Sequence, residues 1–333
     1  MADVVLVIGD PLMPSSQLGA SVLELLGDQF DVHFTDWALP FESAVQANLE
    51  IEKGGPDAVE VHLEYEADDE RVVAILTQFF PLSARTLGRW PRLRAVATLR
   101  AGTENIDLSE IERRGILFAA NAGRNANAVA ELTVALMLAT LRNVGENHHS
   151  LRSGGWRPEP PRLGHRELAG LRLGLVGFGA VGRLVARRLT GFDLDVAYFD
   201  PYAPADAGIG AARPLDLDAV LGHAQVLSLH ARALPDNRAM IGARELDLLD
   251  PGAILVNTAR AELIDERALL DRVEDHRLAG AGLDVFSVEP LPSDHRARRI
   301  PGLTLSPHLA GATVEARSRA PRLIAQRLAE LLG

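Results

Sequence analysis

The stretch Leu173-Gly174-Leu175-Val176-Gly177-Phe178-Gly179-Ala180-Val181-Gly182 lies near the middle of the chain. A short apolar strand runs into three glycines, and residues 183–189 continue with helical spacing. A second strand over 195–199 then ends on Asp200. Strand, glycine turn, helix, strand and acid in this order make up a dinucleotide-binding fingerprint. Gly177 is expected to make a tight turn, Gly179 to leave room for a pyrophosphate, and Gly182 to let helix and strand pack closely. The helix N-terminus offers amides and the positive end of its dipole to the phosphates. Asp200 would accept hydrogen bonds from the adenosine ribose and repel a 2′-phosphate, so NAD is expected over NADP. A glycine-rich turn without a ligand is the bland alternative, and the ordered context weighs against it. Arg183 and Arg187 are expected to form surface ion pairs rather than to bind phosphate.

Outward from this unit the alternation continues. Strands are expected at 172–176, 195–199, 226–229, 253–256, 280–283 and 303–305, with helices between most of them. Nearer the start, apolar runs at 4–8, 32–34, 72–76 and 95–99 alternate with segments of helical spacing such as 18–26. Short buried runs separated by helices indicate parallel sheets with helices on their faces. The expected fold is α/β, with two doubly wound parallel sheets and the more regular one in the second half. A helix is expected over 126–142, capped by Asn125 or Asn127, with Glu131 in its first turn. Residues 158–164 form an expected loop, and 314–332 a last amphipathic helix carrying Leu323, Ile324 and Leu328. The acidic stretch 60–71 is expected to be a solvated helix face or loop.

The 333 residues are 47% hydrophobic and 24% charged, enough apolar material for sizeable cores in about two domains. There is no cysteine, which excludes a disulfide framework, a thiolate metal site and a catalytic thiol. The net charge of −11, from 34 basic and 45 acidic residues without a basic tract, argues against broad nucleic-acid binding. No apolar run approaches the ~20 residues of a membrane span and no signal-peptide pattern opens the chain, so a cytoplasmic protein is expected. Lys53 is the only lysine, in a polar context unsuited to a Schiff base. No histidine pair has ligand spacing beside a carboxylate, so no metal is expected.

Three segments further on each end or follow an expected strand. In a parallel sheet the carboxyl ends of the strands form the edge where ligands bind, so distant residues can meet there. Asn257-Thr258-Ala259-Arg260 brings a guanidinium among small residues. It could hold a carboxylate bidentately and polarise an adjacent carbonyl, or form a salt bridge to Glu262 or Asp265. Leu283-Asp284-Val285-Phe286-Ser287-Val288-Glu289-Pro290 sets Asp284 where it could bind a nicotinamide amide, and Glu289 in extended backbone before a proline. Ser306-Pro307-His308-Leu309-Ala310-Gly311 sets His308 after the last strand. Reduction of a 2-keto acid needs a cation on the electrophile, a proton donor and a hydride source. Histidine suits the proton transfer because its ordinary pKa, ~6.5, lies near neutrality. A paired carboxylate holds its tautomer and stabilises the imidazolium. Arg260, Glu289 and His308 supply those parts, and a reduced nicotinamide supplies the hydride.

Together these segments resemble the D-isomer-specific 2-hydroxyacid dehydrogenase family, over nearly the whole chain. Arg100-Ala101-Gly102-Thr103-Glu104-Asn105-Ile106-Asp107 is similar to the family's glycine-rich loop, and 121–132 to the helix that joins its two domains. The resemblance implies two Rossmann-like domains with a cleft between them. Residues 1–119 and 310–333 would form a flavodoxin-like substrate domain, and 120–309 an NAD-binding domain. It implies that Arg260 anchors substrate and that Glu289 and His308 form the acid–base pair. Gly177, Gly179, Ala180, Val181, Gly182, Asp200, Thr258, Ala259, Arg260, Asp284, His308 and Gly311 would contact the cofactor. Gln78, Arg100, Ala101, Gly102, Arg124 and Arg260 would meet a small 2-keto or 2-hydroxy acid. A homodimer through the NAD domain, with a contribution from 151–161, is implied as well.

The chain departs from the family pattern in three places. Its Arg100 loop is shorter, Thr77-Gln78-Phe79-Phe80 stands where Arg-Ser is usual, and His230-Ala231-Arg232-Ala233-Leu234 replaces His-x-Pro-x-Thr. These spare the catalytic parts and bear on the substrate. Arg100 or Arg124 could bind a second anionic group or make ordinary ion pairs. Phe79 and Phe80 could wall a bulkier substrate or pack in the core. Two other functions stay open: a dinucleotide-sensing, corepressor-like binding protein, and a phosphite-oxidising relative. A formate-oxidising relative would carry glutamine in place of Glu289.

Overall fold

A computed structural model describes residues 2–156, 164–204 and 209–333. The chain divides into two compact units, Met1–Asn125 with Val314–Gly333, and Ala126–Thr313. The first unit opens with β1 (Val4–Gly9), α1 (Ser15–Leu26), β2 (Asp31–Asp36), α2 (Phe41–Gly54) and β3 (Val72–Thr77). α3 (Ala84–Leu87), β4 (Ala95–Thr98), α4 (Leu108–Arg113) and β5 (Leu117–Ala120) follow. All five strands are parallel, in the order β2-β1-β3-β4-β5. This is the flavodoxin-like order, with its switch point between β1 and β3. Both of those strands are buried along their whole length, which is why they read as unbroken apolar runs. β5 has no counterpart among the expected strands. It is four residues long and lies at the sheet edge with Leu117 exposed, although its residues, Leu-Phe-Ala-Ala, make an apolar run like those of the other strands.

The second unit contains α5 (Ala126–Leu141), α6 (Val144–Arg152), β6 (Arg172–Val176), α7 (Ala180–Arg188), β7 (Asp195–Phe199), β8 (Arg213–Pro214) and α8 (Leu217–His223). β9 (Val226–Leu229), α9 (Ala243–Asp247), β10 (Ile254–Asn257), α10 (Glu266–Glu274), β11 (Gly280–Leu283) and β12 (Leu303–Leu305) complete it. Among the described residues its strands run in the order β12-β11-β10-β9-β6-β7-β8, all parallel. The order reverses between β6 and β9, which is where a Rossmann sheet binds its ligand. α5 packs on β10 and β11. A Cβ on Gly282 would lie 3.1 Å from Leu136 Cβ, so the glycines of β11 let this helix approach closely. Because α5 starts at Ala126, Glu131 falls in its second turn rather than its first, and it faces Arg188 at 3.5 Å.

The last helix, α11 (Val314–Leu332), returns to the first unit and packs against α1, β4 and β5. Ala316, Ala320, Ile324, Ala325 and Leu328 are buried along it, whereas Leu323 is exposed. The acidic stretch 60–71 is loop ending in one 3-10 turn, Asp69–Arg71. Part of the expected 158–164 loop and of the 151–161 contact segment lies outside the described residues. Among the described residues no single helix is long and apolar enough to cross a membrane.

Candidate active site

β6 delivers the chain into Gly177-Phe178-Gly179, and α7 begins at Ala180. Gly177 has φ +93°, and a Cβ there would lie 2.5 Å from Ala231 N. A Cβ on Gly182 would lie 2.3 Å from Gly177 O, whereas one on Gly179 would meet nothing within 4 Å. Two glycines are thus demanded by packing and the third borders open space, the room that a diphosphate needs. Ala180 and Val181 form the first turn of α7, which no side chain caps, so its leading amides face that space. Phe178 is buried and stacks on Tyr198 with ring centroids 3.8 Å apart, which pins the loop to β7. Asp200 accepts from Phe178 N at 2.7 Å and from Tyr202 N at 2.9 Å. The glycine loop and its acid are therefore one hydrogen-bonded piece that fits a dinucleotide. Among the described residues Arg183 does not make the expected surface ion pair. One turn into the helix, its Nε reaches back to Phe178 O at 2.9 Å, and the ion pairing falls to Arg188.

His230 directly follows β9 beneath this loop. Its Nε2 lies 3.0 Å from Ser228 Oγ, and its Nδ1 is buried without a partner. Burial pushes its pKa down from 6.5 to about 3. The unfolded chain takes up this proton at the ordinary value and the folded chain does not. Stability is therefore full above pH 6.5 and is lost as pH falls from there toward about 3. The slope is at most about 1.4 kcal/mol per pH unit. Unfolding midpoints measured between pH 7 and 4 are expected to fall less steeply for His230→Gln than for the wild type; parallel curves would contradict this.

The other three loops leave neighbouring strands of the same sheet, β10, β11 and β12. Asn257 closes β10 and clamps the first loop. Its Nδ2 donates to Arg260 O at 2.9 Å and its Oδ1 accepts from Ala259 N at 3.0 Å. Sequence reasoning passed over Asn257, although an asparagine at a strand end is a turn signal. Arg260 is exposed, and the only hydrogen bond of its guanidinium among the described residues goes to Ala259 O at 2.8 Å. The alternative salt bridge to Glu262 or Asp265 is not formed; Asp265 instead caps α10. Thr258 is buried, its hydroxyl 2.7 Å from that of Thr133.

Asp284, fully buried after β11, ties the second loop to the third. Its carboxylate accepts from Leu309 N and Ala310 N, both at 2.9 Å, and its carbonyl accepts from His308 N at 2.8 Å. Gly311 follows in the same turn. These bonds hold His308 at φ +53°, a left-handed conformation uncommon for a residue with a Cβ. Glu289 accepts from Phe286 N at 2.9 Å through one oxygen and meets His308 Nδ1 at 2.7 Å through the other. A carboxylate only accepts, so Nδ1 carries the hydrogen and Nε2 is left for another partner. The His308 side chain is 50% exposed, which keeps that nitrogen within reach of a ligand.

The remaining expected residues belong to the first unit, after the ends of β3, β4 and β5. Gln78 is buried, and its amide points to Asp10, 3.5 Å away. Burial raises the carboxyl pKa of Asp10, which accepts from Leu12 N, Met13 N and Phe79 N. Arg100 pairs with Glu52 at 2.5 Å, donates to Asn48 at 3.0 Å and lies over the Phe79 ring. Ala101 is exposed beside it, and Gly102 lies against the Glu104 carboxylate. Phe80 packs in the core, edge-on to Trp37. Arg124 follows β5, and its Nε is buried without a partner.

The family model for the D-isomer specific 2-hydroxyacid dehydrogenase, NAD binding domain, matches residues 134–310. The glyoxylate reductase of Thermofilum pendens is 34% identical over 284 residues, 84% of this chain and 83% of that one. The solved 2-hydroxyacid dehydrogenase of Ketogulonicigenium vulgare is 28% identical, with a TM-score of 0.72 over 98% of this chain and 95% of its own. The NADPH-dependent glyoxylate/hydroxypyruvate reductase of Sinorhizobium meliloti, solved with NADP and malonate, is 25% identical. Its TM-score is 0.69 over 98% of this chain and 92% of its own.

Proposed function

The chain belongs to the D-isomer-specific 2-hydroxyacid dehydrogenase family and is an oxidoreductase, and from that premise we propose that it interconverts a small D-2-hydroxy acid and its 2-keto acid with NAD as its cofactor. The observation that carries this is the 2.7 Å hydrogen bond between Glu289 and His308, on a loop that Asp284 fastens. Glu289 holds Nδ1, so His308 presents Nε2 to the keto oxygen, gives it a proton during reduction and takes the proton back during oxidation. The negative charge of Glu289 stabilises the imidazolium between those steps. Arg260, free of a carboxylate partner among the described residues, holds the substrate carboxylate and polarises the neighbouring carbonyl. Bound nicotinamide supplies the hydride. The first turn of α7 and the space beside Gly179 receive the diphosphate, and Asp200 the adenosine ribose. A homodimer through the second unit belongs to the same proposal, supported by Val144, Leu151 and Trp156, which stand 53%, 55% and 83% exposed.

The preference for NAD rests on the charge of Asp200, which a 2′-phosphate would have to approach. Asp200→Asn is expected to raise the NADPH-to-NADH ratio of kcat/KM by about tenfold or more, the weight of one removed charge repulsion. An unchanged ratio would overturn the assignment. The function as a whole is tested by incubating purified protein and NADH with glyoxylate, hydroxypyruvate, pyruvate and branched 2-keto acids. Reduction of at least one is expected. Tight NADH binding without turnover of any would favour a dinucleotide sensor instead.

A further inference from the structure

Among the described residues Arg124 has no counter-charge. Its Nε is buried without a hydrogen-bond partner, and no carboxylate pairs with its guanidinium among the described residues. A charged donor left without an acceptor is costly, and native proteins keep few of them. α11 runs beside the same segment. Asn121 Nδ2 donates to Ala320 O at 2.8 Å, and Arg327 donates to Ala122 O at 3.2 Å. Arg317 precedes Ala320 by three residues, so it stands one turn nearer the helix start on the same face. That face follows the stretch from Asn121 to Arg124. Arg317 is exposed and likewise has no ion pair among the described residues. Burial draws the pKa of Arg124 down, and the like charges of Arg100 and then Arg317 lower it further. Arg100 is already neutralised by Glu52 and Glu104. Glu315 lies two residues from Arg317, on a different side of the helix.

We propose that Arg124 and Arg317 form a binding site in the first unit for a small oxyanion group, a phosphate or a carboxylate. Two guanidiniums held near each other repel until an anion bridges them, and their forked donors match the oxygens of such a group. The first turn of α11, which carries Arg317, adds the positive end of a 19-residue helix. The oxyanion is a free ion, and its binding does not depend on the hydride chemistry.

The test uses the full chain, with Arg124→Gln, Arg124→Lys and Arg317→Gln, each checked for an unaltered unfolding midpoint. Arg317 is exposed, so its variant keeps the proposal testable if those at Arg124 fail to fold. Titration calorimetry with inorganic phosphate reads the site. The wild type is expected to bind one phosphate per chain, each glutamine variant to bind it about tenfold or more weakly, one lost charge-assisted pair, and Arg124→Lys to recover part of the loss. The proposal is overturned if the wild type binds no phosphate, or if the folded glutamine variants match it. Arginine-dependent phosphate binding in a protein that reduces no 2-keto acid would leave this site standing and remove the hydride reading.

Discussion

His308→Gln lowers kcat for 2-keto acid reduction by about 10²–10⁴-fold, the usual weight of a positioned proton donor. Glutamine is close in reach and can still hydrogen-bond, but it cannot hand over a proton at neutral pH. The loss should therefore fall on turnover more than on substrate binding. The surroundings sharpen this expectation. The Asp284 carboxylate and carbonyl together accept three hydrogen bonds from the His308 loop, so the backbone around the substitution is held independently of the imidazole. Glu289→Gln keeps the size of its side chain and removes the charge, and it should cost less than the loss of the imidazole itself. Steady-state kinetics on the two variants measure both effects. Wild-type turnover in His308→Gln would mean that the proton comes from elsewhere.

Arg260→Gln is expected to lower kcat/KM by about 10²–10⁴-fold, from the loss of two charge-assisted hydrogen bonds worth about 1.5–3 kcal/mol each. Arg260→Lys should recover only part of this, because an ammonium keeps the charge but not the planar fork. Part of the loss should appear in kcat, since a polarised carbonyl matters most in the transition state. Asn257 fixes the turn that aims Arg260 through two hydrogen bonds, and the guanidinium meets no carboxylate among the described residues. An unchanged kcat/KM in Arg260→Gln would remove it from the substrate.

Much of this was legible in the residues. β6, β9 and β11 coincide with short apolar runs, because a strand covered on both faces leaves an unbroken run between turn residues. The exposed edge strand β8 has two residues, Arg213 and Pro214, and carries no such run, whereas β5, apolar throughout, was passed over. The Glu289–His308 pair was readable because a proton transfer needs those residue types and the fold gathers strand ends along one edge. What Asp284 does could not be read so directly. Its hydrogen bonds to Leu309 and Ala310 are made across a sequence separation that only packing closes. Arg183 was misread as a surface ion pair because its partner is a backbone carbonyl, which no side-chain pattern reveals. Arg100 and Arg124 look alike in sequence, each following a strand. They differ only in that α2 brings Glu52 and Asn48 to the first and no carboxylate to the second.

The central claim is stereospecific hydride transfer to a 2-keto acid, and chiral analysis of the product meets it directly. Purified protein, NADH and a prochiral substrate such as pyruvate are incubated, and the hydroxy acid formed is resolved into its enantiomers. The account predicts the D enantiomer alone, formed in step with cofactor oxidation. An L or racemic product would contradict it.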